Sequence, residues 1–178
     1  MQALNITNLK DFTNKLFIGE VFDHFLVTEV SITTFGTFSI DGKLQNDFFD
    51  SDEQSALREN GRSYALWKEI KPYCCSVIRG KRLPLHFKII FQLPPSEITR
   101  LFPDKADSLS NIGNLYLNIQ YRNQHVLCTT GVSLNTFIPG IKPGPLWDDM
   151  ILQFMRNHQI DFEKISDYCS TSSGSFRE

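Results

Sequence analysis

The segment LHFKIIFQL, residues 85–93, is the strongest indication of the fold. Its odd-numbered positions are all apolar, from Leu85 through Ile89 to Leu93, whereas the positions between them include His86 and Lys88. Successive side chains of a strand point to opposite faces, so this alternation predicts a strand with one buried and one open face. The stretch therefore favours a sheet that is covered on one side only.

Further strands are predicted on both sides of this stretch. Residues 115–121 alternate in the same way, and a turn at Arg122-Asn123 leads into a returning strand over residues 125–132. Towards the N-terminus, strands are predicted over residues 25–32 and 33–41, and a short opening strand contains Leu4 and Ile6. Asp41-Gly42 predicts a hairpin turn, because glycine tolerates positive φ, and residues 44–48 would form its returning strand.

Helices are predicted between these groups of strands. The first, capped by Thr7 or Asn8, carries apolar residues at helical spacing and ends near Gly19. A second helix covers residues 64–79, where Pro72 predicts a kink or a split. A third opens at Pro145, with Asp148 and Asp149 suited to its first turn. Residues 47–62 are predicted to be a solvated loop, and residues 96–102 a short helix.

The predicted order is strand, helix, three strands, helix, three strands, helix. Short turns between neighbouring strands predict a mainly antiparallel sheet, so the fold class is α+β, with about six to seven strands and two to three helices. We expect a single globular domain over residues 1–165 and a disordered tail over residues 166–178. The segment VSITTF (30–35) recurs as VSLNTF (132–137), which we interpret as a chance similarity between strands rather than as a duplication.

Composition excludes several classes of protein. The chain has 178 residues and is 41% hydrophobic with 15 phenylalanines, which is enough to fill a core and argues against disorder. No apolar run reaches the roughly 18 residues of a membrane-spanning helix, and the N-terminus has no signal-peptide pattern. We therefore expect a cytoplasmic protein that does not contact a membrane.

The four cysteines show no pattern of metal or redox chemistry. Cys74, Cys75, Cys128 and Cys169 form no C-x-x-C pair, so we interpret them as reduced thiols, with Cys74 and Cys128 in the core. No catalytic, nucleotide-binding or metal-binding motif is present. We predict no catalytic residues, no metal site and no cofactor.

The basic residues are concentrated in one window. Residues 58–88 contain eight basic and two acidic residues, a net charge of +6, although the whole chain carries −2. Such a surface attracts phosphate groups or an acidic partner. Basic residues also suit a helix C-terminus and a solvated face, so the window is open to a purely structural interpretation. The candidate polyanion-binding residues are Lys68, Lys71, Arg79, Lys81, Arg82 and Lys88.

Two segments carry a resemblance to a known family. The segments SITTFGTFSIDG (31–42) and IRGKRLPLHFK (78–88) resemble a family of uncharacterised proteins from Gram-positive anaerobes, and the resemblance extends over most of residues 1–165. That family is a domain of unknown function, so the resemblance implies no activity, cofactor or site residue.

The predicted order of elements is also similar to that of a DNA sliding-clamp domain. In that fold, two helices of each domain face the DNA backbone. The similarity would place Lys10, Lys68, Lys71 and Arg79 on the DNA-facing surface. It rests on architecture alone, which is an associational argument for function.

Three functions follow as hypotheses. The first is a non-enzymatic binding module that uses residues 58–88 to bind nucleic acid or an acidic protein. The second is an enzyme whose site lies near His86 and His125, which could meet on neighbouring strands close to Cys128. The third is a structural protein that forms a homo-oligomer through a sheet edge and has no ligand. Salt-dependent binding, a polar pocket, or a stable oligomer would distinguish the three.

Overall fold

The computed structural model describes residues 1–78, 82–94, 96–97, 112–134 and 142–165. In chain order the elements are β1 (Ala3–Ile6), α1 (Leu9–Phe17), β2 (Leu26–Thr33), β3 (Thr37–Asp41), α2 (Ser51–Glu59), α3 (Trp67–Val77), β4 (His86–Gln92), β5 (Ile112–Arg122), β6 (His125–Leu134), α4 (Pro143–Asn157) and β7 (Phe162–Lys164). The strands form one antiparallel sheet in the order β3-β2-β4-β5-β6-β1-β7. The predicted α+β class with a mainly antiparallel sheet is confirmed.

One face of the sheet forms the core, as the alternation in residues 85–93 predicts. Phe87, Ile89 and Phe91 of β4 are buried on this face, although Leu85 lies before the strand and is exposed. The buried side chains of the neighbouring strands belong to the same hydrophobic cluster. Alternation therefore identified the core face of the central strands correctly.

Three of the described helices contribute buried side chains to the core cluster. Trp67 of α3 and Trp147 of α4 are both buried, and each indole N–H finds a carbonyl acceptor. Trp67 Nε1 donates to Leu16 O of α1 at 2.7 Å, and Trp147 Nε1 donates to Tyr116 O of β5 at 2.8 Å. A buried indole N–H without a partner is costly, so these bonds hold α3 against α1 and α4 against the sheet.

The first helix ends where the sequence predicts. The Asn8 side chain accepts a hydrogen bond from Asp11 N at 3.2 Å, which satisfies one of the free N–H groups of the first turn. At the other end, Gly19 N donates to Asn14 O at 2.8 Å. Phe12 and Leu16 are fully buried, so the predicted apolar stripe of α1 is confirmed.

The predicted hairpin at Asp41-Gly42 is wrong. The turn that joins β2 to β3 lies at residues 34–36, and no described strand follows β3 directly; residues 46–48 form a 3-10 turn. Gly42 does not have a positive φ. It lies so close to Val27 that a Cβ atom would stand 1.8 Å from the Val27 carbonyl oxygen. Glycine is therefore required here because the two backbones approach closely. The predicted group of three strands is a pair, β2 and β3.

The predicted loop over residues 47–62 is wrong as well, because it contains α2. Asp50 Oδ1 accepts from Asp52 N and Glu53 N, while Glu53 Oε2 accepts from Asp50 N at 3.1 Å. This capping box begins a helix without a single buried residue. The segment has the polarity of a loop because the helix lies at the surface. The capping box of Asp50 and Glu53 is the sequence signal that distinguishes it from a loop.

The second predicted helix begins later than expected. Residues 64–66 are extended, since Tyr64 bridges Lys43 and Leu66 bridges Leu26, and α3 begins at Trp67. Pro72 lies inside α3 without splitting it. Cys74 is buried and Ile70 and Val77 pack against the core, in agreement with the predicted stripe.

The C-terminal third agrees with most of the predictions. The β5–β6 hairpin turns at Asn123 and Gln124, both of which have positive φ. The last helix begins at Pro143 rather than Pro145, which places Asp148 beyond the first turn. Asp148 instead pairs with the Met1 amino group at 3.1 Å and accepts a hydrogen bond from the Thr130 hydroxyl. A short strand, β7, was not predicted.

Several predictions lie outside the described residues. These are most of the short helix over residues 96–102, the second half of the 132–137 segment and the tail over residues 166–178. A single domain over residues 1–165 stays a prediction. Within the described ranges, no helix is long and apolar enough to cross a membrane.

Candidate polyanion-binding surface

The face of the central sheet that points away from the core is open. We call this surface the open face and define it by the residues of β4, β5 and β6 that alternate with the buried ones. Among their described side chains only Gln92 is buried; His86, Gln120, Arg122 and His125 are exposed. The face has the polar and basic character that the residues between the apolar positions of 85–93 predict.

Three basic or titratable side chains lie in one row across the open face. Arg122 of β5 pairs in register with His86 of β4 on one side and with His125 of β6 on the other. Neighbouring strands are about 4.8 Å apart, so the row spans roughly 10 Å. We call His86, Arg122 and His125 the basic row.

The predicted meeting of His86 and His125 is therefore wrong in its geometry. β5 lies between their strands, so the two histidines flank Arg122 instead of contacting each other. Cys128 is fully buried on the core face, whereas His125 is exposed on the open face. An odd separation along a strand puts side chains on opposite faces, and these three residues therefore form no common site.

Lys88 extends the basic row along β4. It lies two residues after His86, on the same face, and its Nζ is 3.2 Å from Glu29 Oε1 of β2. Both side chains are well exposed, so water and salt screen this pair, and it contributes little to stability. Lys88 therefore adds a cation near the basic row, and it can leave Glu29 to bind an anion.

Lys71 lies in a very different environment from the other candidate residues. Its Nζ is 2.5 Å from Asp23 Oδ1 and donates to Gly19 O at 2.7 Å, and only 13% of its side chain is exposed. The same face of α3 also contacts α1 through Cys75, whose Sγ lies 3.5 Å from Phe17 O. Because its charge is neutralised inside the fold, Lys71 is poorly placed to bind an external anion.

The remaining candidate residues are divided between two regions. Lys68 on α3 and Arg82 before β4 are exposed, and neither has an ion pair within the described residues. Arg79 and Lys81 lie outside the described residues. In the same window, Arg62 pairs with Glu69 of α3. The described part of the +6 window is therefore partly neutralised by carboxylates, including those of Asp23 and Glu29, which lie outside it in sequence.

Arg122 was not among the binding residues predicted from the sequence. It lies 34 residues after the basic window ends at Lys88, and a window of sequence cannot show that β5 pairs with β4. Its position in the sequence could have identified it, because it follows the alternating residues 115–121 and precedes the turn at Asn123. Alternation places Arg122 on the face opposite to Tyr121, which is buried.

The described cysteines are structural. Burial, with a smaller contribution from Cys75, raises the pKa of the Cys74 thiol to about 12. Burial also raises the pKa of Cys128 and, to a lesser degree, that of the exposed Cys75. Only the thiolate is a nucleophile or a metal ligand, so none of the three is activated. In the described ranges, no group of three potential metal ligands comes together.

Residues 15–163 match the model of a family of unknown function, DUF5721, and the chain belongs to this family. The resemblance to an uncharacterised family is thereby confirmed. No curated protein and no solved structure matches the chain. The sliding-clamp pattern needs three strands between its first two helices; in the described residues only β2 and β3 lie between α1 and α2.

Proposed function

We propose that this member of the DUF5721 family is a non-enzymatic binding module for single-stranded nucleic acid, and that the open face is its binding surface. The observation that carries the proposal is the basic row. Three side chains that are cationic or can become so lie side by side on an exposed strand surface. No described strand places a carboxylate in the same row.

The charge of the basic row supports a bound anion. Arg122 carries a permanent positive charge, and the imidazoles of His86 and His125 on either side of it offer further N–H donors. A phosphate group above the row would find donors on all three side chains. Arginine can bind two phosphate oxygens at once, which adds a geometric preference for phosphodiesters.

The rest of β5 suits the bases of a single strand. Tyr116, Asn118 and Gln120 lie on the same face as Arg122, over a length of about 20 Å at 3.3–3.4 Å per residue. Tyr116 is opposite Gly131 of β6, so no side chain of that strand stands beside its ring, whereas on the other side it pairs with the buried Gln92 of β4. Aromatic rings stack on unpaired bases, and amides bond to base edges, whereas a duplex would hide those edges.

The proposed binding surface lies partly outside the predicted basic window, because Arg122 and His125 follow Lys88 in the sequence. Lys88 lies on the open face and Arg82 precedes β4, so both can add to the field around the basic row. Lys68 belongs to α3, whose buried residues pack into the core on the other side of the sheet. We therefore assign Lys68 no part in binding.

The test is fluorescence anisotropy with a labelled single-stranded oligonucleotide, in about 50 and 200 mM salt. Arg122→Glu should weaken binding by about tenfold or more, because it reverses a charge at a phosphate contact. Arg156→Glu is the matched control, since Arg156 is exposed in the last turn of α4, outside the open face. It should change the affinity less than about threefold. Binding to the wild-type protein should weaken as salt rises.

Three results would contradict the proposal. The first is the absence of binding in about 50 mM salt, and the second is an equal loss in both variants. The third is equally tight, Arg122-dependent binding of poly-glutamate, which would identify an acidic protein as the partner. Each experiment requires that the variants keep the wild-type far-ultraviolet circular dichroism spectrum.

Self-association stays a separate proposal, favoured by one observation at the sheet edge. β3 is an edge strand, and the Phe35 side chain in the turn before it is 94% exposed. Exposed edge strands are templates for pairing with another chain. If this edge forms a homo-oligomer, Phe35→Ser and Ser39→Pro should reduce the mass measured by light scattering.

A further inference from the structure

A cavity of about 790 Å³ lies between α4 and the turn of residues 20–25. Its volume falls within the range of small-molecule sites. The elements around it contribute to the core cluster, whereas the basic row belongs to the open face. A ligand in this cavity would therefore be independent of the proposed nucleic-acid surface.

The walls of the cavity are apolar and partly aromatic. Phe25 and Phe154 pack edge to face, with ring centroids 5.5 Å apart, and Trp147 and Met150 also line the cavity. The Trp147 indole N–H is already bonded to Tyr116 O, so its ring offers the cavity an apolar surface. These walls suit an aromatic or aliphatic body.

The polar groups at the rim favour a positive charge over a negative one. Glu20 and Glu97 line the cavity, together with the imidazoles of His24 and His158, and among the described residues no lysine or arginine does so. Asn157 and His158 also mark the end of α4, where the helix dipole gives a partial negative charge. The His158 ring lies 4.6 Å from that of Phe154, whose face can itself attract a cation.

We infer that this cavity binds a small organic amine with an aromatic or aliphatic body. The apolar part of the ligand would lie against Phe25, Trp147 and Phe154. Its ammonium group would lie at the rim near Glu20, whose carboxylate can accept its hydrogen bonds. An anionic analogue of the same shape should bind more weakly, because its charge would lie near the carboxylates and the negative end of the helix.

The test compares two probes of the same shape and opposite charge, 4-phenylbutylamine and 4-phenylbutyrate, by isothermal titration calorimetry. The amine should bind at least about tenfold more tightly than the acid, because the described lining residues include carboxylates but no lysine or arginine. Glu20→Gln should weaken the amine about fivefold, whereas Glu163→Gln, on β7, should leave it unchanged. Both glutamates are exposed, so neither change should affect folding.

A second variant tests the location of the site. Gln153 is exposed and lines the cavity, so Gln153→Trp should obstruct it and abolish amine binding, while the thermal midpoint stays within a few degrees of the wild-type value. Four results would overturn the inference: no binding of the amine, equal binding of both probes, an equal effect of the two glutamate substitutions, or undiminished binding to the folded Gln153→Trp variant.

Discussion

At the scale of single residues, two lysines on α3 have opposite environments. Lys68 is exposed, whereas Lys71, almost one helical turn later, is held by Asp23 and Gly19. We expect Lys71→Ala to lower the free energy of unfolding by about 2 kcal/mol, because it leaves a half-buried carboxylate and a carbonyl without their donor. Urea denaturation measures this value.

Lys68→Ala is the matched control for Lys71→Ala, with the same chemistry removed from the same helix. It should change the free energy of unfolding by less than about 0.5 kcal/mol, as surface substitutions usually do. Similar values for the two variants would show that the contact between Lys71 and Asp23 does not stabilise the fold.

Two glycines provide a second contrast. A Cβ atom on Gly42 would stand 1.8 Å from Val27 O, whereas one on Gly36 would meet nothing within 4 Å. We expect Gly42→Ala to destabilise the protein by about 2–4 kcal/mol, since the backbone must move to relieve the overlap. Gly36→Ala should be nearly neutral. Thermal unfolding of the pair measures the difference, and equal midpoints would contradict the expectation.

The buried thiols predict a loss of stability at alkaline pH. The pKa of Cys74 rises from 9.0 to about 12, and burial raises that of Cys128 as well. Above pH 9 the unfolded chain releases these protons while the folded chain retains them, so the free energy of unfolding falls as pH rises. Each thiol contributes a slope of up to about 1.4 kcal/mol per pH unit.

Urea denaturation at pH 8, 9 and 10 measures this slope. Cys128→Ala should be less stable at pH 8 because it leaves a cavity, but it should lose less stability on going to pH 10. An unchanged slope in this variant would mean that Cys128 does not contribute to the pH dependence.

At the scale of elements, α2 depends on its cap more than any other described helix does. It has no buried residue, and its first turn is held by the reciprocal hydrogen bonds of Asp50 and Glu53. We expect Asp50→Ala to cost about 1 kcal/mol locally, which would speed amide exchange in α2 about fivefold. Exchange in the central strands should not change, because α2 contributes no buried side chain to the core.

Asp52→Ala is the control for Asp50→Ala. Asp52 lies in the first turn of α2 and favours the helix through its charge, but the cap acceptor is Asp50 Oδ1. Its loss should therefore affect exchange less. Equal acceleration in both variants would show that charge, and not the capping bond, stabilises this helix.

At the scale of the whole molecule, one hydrophobic cluster joins the sheet to the helices. It includes Leu4 of β1, Trp67 of α3 and Trp147 of α4. We therefore expect unfolding to be a single cooperative transition. Tryptophan fluorescence and far-ultraviolet circular dichroism should give the same urea midpoint, and two separate midpoints would mean that the cluster comprises two independent units.

The sequence predicted the elements whose signal is local and periodic. The alternation at 85–93 identified β4 and its core face, and the apolar stripe of α1 and the Asn123 turn were also recognised. It failed at α2, where a surface helix carries no apolar stripe, and at Gly42, where the close neighbour is Val27. α2 was not recognised because it lacks apolar periodicity. The role of Gly42 could not be recognised because Val27 is distant in sequence.

The fold class follows from local sequence patterns, because side-chain period and turn chemistry are properties of short segments. Which charges remain available depends on tertiary contacts. Asp23 neutralises Lys71 across 48 residues, and strand pairing brings His86, Arg122 and His125 into one row. The first contact depends on how α3 packs against residues 20–25, and the second on strand order and register. Both are set by the packing of distant segments, and no window of sequence contains that information.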